Sequence, residues 1–192
     1  RYCHFFYPEL EQYLGEEKMK IVKNELLNKS SNIFDNYDMK REEGQNDSHI
    51  CSMIRNDSVR EFVSYVTHNN YSLSSQITPS IFETNSFLLE RKDTTLIEYS
   101  AFFGSIKIFR YLIKKGVELT ASLWLYAIHS KNAALIHILE AKNVCPPKFD
   151  NKNEEDLNEA NNEYLRCLIE SIKCHHNDFA DYIQNNFLFQ EE

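Results

Sequence analysis

Four residues near one end of the chain, Cys167, Cys174, His175 and His176, are of the types that bind zinc or act as thiol nucleophiles. Zinc sites draw on Cys and His in paired short spacings, and a Cys-x6-Cys followed by two adjacent histidines departs from that pattern. The spacing of seven instead puts both cysteines on one helical face, where a free Cys is a small core residue. Cys174-His175-His176 then falls in a turn between two helices. A Cys/His/Asp nucleophile can be assembled from the same residues, but no elbow or Cys-box motif accompanies them. No metal and no cofactor are therefore expected. A Cys/His-dependent enzyme or a zinc-binding protein using residues 167–176 stands as the alternative function. The adjacent carboxylates Glu154, Glu155 and Asp156 lie in a polar connector and read as solvated surface. Only four glycines are present, and none fits GxGxxG or GxxxxGK[ST], which excludes the dinucleotide and P-loop phosphate sites.

The elements that would carry these residues belong to a globular protein. Its 192 residues are 42% hydrophobic and 26% charged, with a formal net charge of −8. From Asp150 to Glu192 there are eleven acidic and three basic residues, so that segment holds the whole net charge. An acidic end repels phosphate backbones, and no nucleic-acid partner is expected. The longest unbroken apolar run, Leu123 to Ile128, is far short of a membrane span, so no membrane is expected either. Five cysteines (Cys3, Cys51, Cys145, Cys167 and Cys174), an odd number, fit free thiols in a reducing, cytoplasmic setting, with the nucleus also compatible. The first residue is Arg1, not Met, so a fragment with further repeats upstream is one reading.

Apolar residues at spacings of three and four predict a helix over 9–29, weakened at Gly15. Residues 30–47 read as a polar connector with one helical turn near Met39. From residue 48 the pattern changes to short helix pairs, near 48–68, 95–115, 122–142 and 165–186. Helices this short must stack on neighbours. A shift of 27 lays Thr95-Leu96-Ile97 over Ser122-Leu123-Trp124 and Gly116-Val117 over Asn143-Val144. A shift of 71 lays Ile108 to Leu112 over Phe179 to Ile183. Repeated helix pairs at unequal spacing point to a helical solenoid with loops of varying length. Thr95 and Ser122 are the expected N-caps, and Gly104 and Gly116 the expected left-handed helix ends.

The stretch TLIEYSAFFGSIKIFRYLIKKGVEL, Thr95 onward, resembles an ankyrin repeat. Thr95, Ile97, Ser100, Ala101, Gly104, Ile108, Leu112 and Gly116 match that pattern in position or kind. Leu96 and Glu98 depart from its Pro and His. The phrases SIFETNSFLL, SLWLYAIHS and SIKCHHNDFADYIQNN are similar to a divergent ankyrin family of unknown function expanded in some single-celled parasites. The resemblance implies an all-α, ankyrin-like helical solenoid of about four helix pairs over 48–192, preceded by an N-terminal helical segment and connector over 1–47. It implies a non-catalytic protein–protein interaction scaffold with an unidentified protein partner. It also places Trp124 where ankyrin repeats bury a Leu.

Residues 71–94 interrupt the repeat. The insert alternates polar and β-prone residues and is expected as a long finger or extended hairpin, unless Ile81, Phe82 and Phe87 fold back onto the stack. Glu83, Asn85, Arg91 and Lys92 are the candidate contacts on it, being polar and outside the helix pattern. The loops at Val117–Ala121 and Val144–Asp150 recur after the second helix of successive pairs and are expected to share that edge.

Overall fold

A run such as Leu96–Phe102 or Leu123–Ser130 is apolar on nearly every side, so the helix it forms has no face to give to water and must be interior. In the computed structural model this is what happens. The structure describes residues 2–91, 93–147 and 159–188, with side chains for 4–91, 93–147 and 164–188. In chain order the helices are α1 Tyr2–Phe5, α2 Tyr7–Leu10, α3 Glu16–Lys29, α4 Tyr37–Glu43, α5 His49–Arg55, α6 Val59–His68, α7 Ser86–Glu90, α8 Leu96–Phe102, α9 Ile106–Lys114, α10 Leu123–Ser130, α11 Ala133–Ala141, α12 Glu159–Lys173 and α13 Asn177–Ile183, closed by a π-helical turn Gln184–Leu188. The protein is all-helical. Among the described residues the only β pairing is an isolated antiparallel bridge between Gln76 and Thr95. None of the described helices is long and apolar enough to cross a membrane.

Two compact units share the chain. The first comprises Arg1–Ser52 with Thr78–Asp93, the second Met53–Ile77 with Thr94–Glu192. Helix α5 carries the chain from one to the other.

In the first unit, Leu26 of α3, Ile33 and Tyr37 of α4 close a core with Ile81 and Phe82, and Tyr7, Val22 and Phe34 pack around it. The Phe82 ring meets the edge of Tyr37 at 5.1 Å. The expectation of an extended finger is therefore corrected. Ile81, Phe82, Phe87 and Leu88 are buried, and residues 86–90 form helix α7. The reason is apolar area: these four large side chains gain more from a core than a solvated hairpin could return. Gly44 ends α4 with a φ of 61°, and a Cβ there would stand 2.7 Å from the Thr84 hydroxyl, so the inserted segment crosses where there is room only for hydrogen. Thr84 donates both its N–H and its hydroxyl to the Gly44 carbonyl.

In the second unit, α8 packs on α9 and α10, α10 on α11 and α12, α12 on α13, and α6 on α9. Ser100, Ala101 and Ala127 are fully buried at these close approaches. Thr95 caps α8 in a capping box with Glu98. Ser122 departs from its expected role. Its backbone is already helical, and its hydroxyl donates to the Glu98 carboxylate at 2.6 Å instead of capping α10, so one glutamate serves two successive pairs.

The helix ends repeat one device. A left-handed residue stands between the two helices of every pair: Asp57, Gly104, Lys131 and His175. Asn70, Gly116 and Asn143 stand after α6, α9 and α11 in the same conformation. The N–H groups of Ser58, Ser105 and His176 reach back five residues to Met53, Ser100 and Ser171, as do those of Tyr71, Val117 and Val144 to Val66, Leu112 and Leu139, all at 2.8–3.1 Å. Most of these positions carry a Cβ in a conformation that suits glycine. Replacing Lys131 with glycine is accordingly expected to stabilise the protein by about 0.5–1 kcal/mol. A urea midpoint unchanged or lowered by Lys131→Gly would contradict that strain.

Candidate binding surface

The cysteine–histidine cluster comes together at the end of α12 and the turn that follows it. Cys167 lies on the buried face of α12, and burial pushes its thiol up to about 12. Cys174, in the turn, is also raised by burial, and its Sγ lies 3.5 Å from the Ser171 carbonyl. Both thiols are held protonated at neutral pH, the opposite of what a thiolate nucleophile needs. His176 directs Nδ1 at the Ile128 carbonyl at 3.2 Å, which places the proton on that nitrogen. Burial lowers its pKa. His129 pairs with Glu170 at 2.8 Å and stacks on Phe102, joining α10 to α12 and α8. His137 is exposed beside Glu140. Among the described residues no group of three or more His, Cys, Asp or Glu is placed to hold a metal ion. Glu154, Glu155, Asp156 and Lys92 lie outside the described residues.

Of the inserted segment's expected contacts, Glu83 turns inward from the outer surface. It is 8% exposed, and its two carboxylate oxygens accept the N–H groups of Asn46 and Asn85 at 3.2 and 2.9 Å. Asn85 is exposed but serves as the N-cap of α7, its side chain accepting from Leu88 N–H. Arg91 lays its guanidinium 3.4 Å over the Phe87 ring and donates to the Phe87 carbonyl, so it is committed to its own segment. In the loop after α9, Glu118 and Thr120 are exposed; after α11, Asn143 and Cys145 are exposed while Pro146 and Pro147 are buried.

A surface that the sequence reading did not select stands out on α9. Ile108, Phe109 and Leu112 bury one side of this helix completely. Lys107, Arg110 and Lys114, spaced i, i+3 and i+7, share the opposite, exposed side. Among the described residues no carboxylate pairs with any of the three. Asp57 beside them is already used: its carboxylate accepts the backbone N–H groups of Lys107 and Ile108 at 3.1 and 3.0 Å and so caps α9 from the preceding helix turn. An open polar basin lined by Asp57, Ser58, Arg60, Glu61 and Lys107 lies at this end. The signal was present in the sequence as three cations at helical spacing, and only the count over the whole of residues 1–149, eighteen of each sign, conceals it.

No protein-family model, no curated protein and no solved structure matches this chain.

Proposed function

We propose that this chain is a non-catalytic protein-binding scaffold built from ankyrin-like helix pairs, and that the outer face of α9 with its flanking loops grips an acidic segment of a protein partner. The observation that carries the reading is the repetition of one turn geometry at Asp57, Gly104, Lys131 and His175, each between the helices of a successive pair. It is supported by the buried first helices α8 and α10, which leave recognition to the second helices and loops. Three unpaired cations on a rigid helix within a protein of net charge −8 offer a localised, oriented attraction for carboxylates. The held-protonated Cys167 and Cys174 favour this reading over a thiol-dependent enzyme.

The test is affinity capture on the full chain, followed by binding measurements with the captured protein. The triple variant Lys107→Glu, Arg110→Glu, Lys114→Glu is compared with wild type. The variant is expected to fold as wild type and to lose roughly tenfold or more in affinity, with wild-type binding weakened by salt. A partner bound equally by both proteins overturns the α9 assignment. Thioester or ester hydrolysis that disappears in Cys174→Ala overturns the non-catalytic reading.

A further inference from the structure

A cavity of ≈ 290 Å³ opens in the first unit, lined by Phe5, Phe6, Ile81, Leu89 and the acidic residues Glu83 and Glu90, with Thr84 and Ser86 completing the wall. Phe5 and Phe6 form a corner, their rings 5.1 Å apart and 78° to one another. Ring faces carry negative potential, so a cation placed over either face is favoured. Glu83 supplies a carboxylate group. It is buried, each oxygen accepts a single backbone N–H, and no cationic side chain pairs with it among the described residues. A carboxylate oxygen has room for a second donor, and a buried anion without a counter-charge is costly to maintain. The neighbouring guanidinium of Arg41, which lies over the Phe5 and Phe6 rings at 5.2 and 5.9 Å, is neutralised by Glu9 at 2.6 Å and does not line the cavity.

We propose that this cavity is a binding site for an ammonium or guanidinium group on an apolar stem. The stem packs on Ile81, Leu89 and the two rings, and the charged head reaches Glu83 and Glu90. Free alkylamines and the Lys or Arg side chains of a peptide share this chemistry. The site lies in a different unit from α9 and does not depend on the scaffold reading.

Calorimetric titration of the full chain tests the site, with n-hexylammonium, 1-hexanol and a capped Gly-Lys-Gly tripeptide as probes. The ammonium or the tripeptide is expected to bind roughly tenfold or more tighter than the alcohol. Glu83→Gln is expected to erase that preference, and Leu89→Trp, which fills the cavity without touching the Glu83 hydrogen bonds, to abolish binding. Circular dichroism establishes that each variant is folded, and if Glu83→Gln is not, Leu89→Trp decides alone. Binding of the amine but not the tripeptide assigns a small free amine, and the reverse assigns a basic peptide. Equal affinity for amine and alcohol, no binding of either charged probe, or amine binding that survives Leu89→Trp overturns the proposal.

Discussion

Trp124→Ala is expected to lower the free energy of unfolding by about 3–5 kcal/mol, the range for emptying a large core site. The indole is 1% exposed. It stacks near Phe179 of α13 and meets the edge of Tyr164 of α12 at 6.1 Å, so it fills the space between the third and fourth helix pairs. Its Nε1–H donates to the Val144 carbonyl at 2.7 Å, which fixes the loop after α11. Alanine removes the ring and leaves that carbonyl without its partner. Trp124→Phe separates the two effects. It keeps most of the volume and is expected to cost only about 1–3 kcal/mol, the penalty of the unmade hydrogen bond plus imperfect packing. Urea titration followed by circular dichroism reads both variants, since removing the single tryptophan also removes its fluorescence. A loss below about 1 kcal/mol for the alanine variant would place the indole outside the core.

Phe82→Ala is expected to have an effect of the same size, about 3–5 kcal/mol. Phe82 is 0% exposed and holds the inserted segment to Tyr37 and the rest of the first unit's core. Lys40 also lies 5.5 Å over its ring. A projecting finger would tolerate the substitution, so a change under about 1 kcal/mol would restore that picture. The same geometry rules out deleting residues 71–94 as a clean test of binding, because the deletion takes Ile81 and Phe82 out of a core.

The helix pairs were legible because short amphipathic runs, good caps and small residues repeat in register, as Thr95, Ser100, Ala101 and Gly104 do. Gly104 and Gly116 announced their left-handed turns. Lys131 did not, since nothing in its side chain marks that conformation and only the surrounding helices impose it, and Asp57 and His175 are of types enriched in it yet still uncommon there. Asn70 and Asn143 carried a weak signal, asparagine being the commonest substitute for glycine there. Phe82 was recognisable as apolar, but its partners Leu26, Ile33 and Tyr37 lie so far back in the chain that no local pattern connects them. Glu83 was chosen for its polarity. The structure uses that polarity inward, to satisfy two backbone N–H groups. The α9 face escaped notice because the charge was counted over residues 1–149 as a whole, where it balances, and not helix by helix, where α9 alone carries three cations and no acid.

The interleaving of the two units has a consequence for how the protein is made. When Ser52 has left the ribosome, Leu26, Ile33 and Tyr37 still lack Ile81 and Phe82. The next residues to emerge, 53–77, belong to the other unit, and α6 in turn lacks its neighbour α9 until residue 114 has followed. Neither unit can close before residue 93 is translated, an interval of about 2–8 s at ordinary elongation rates. During that interval two unfinished apolar surfaces coexist on one nascent chain, the circumstance in which chaperone capture competes with misassembly.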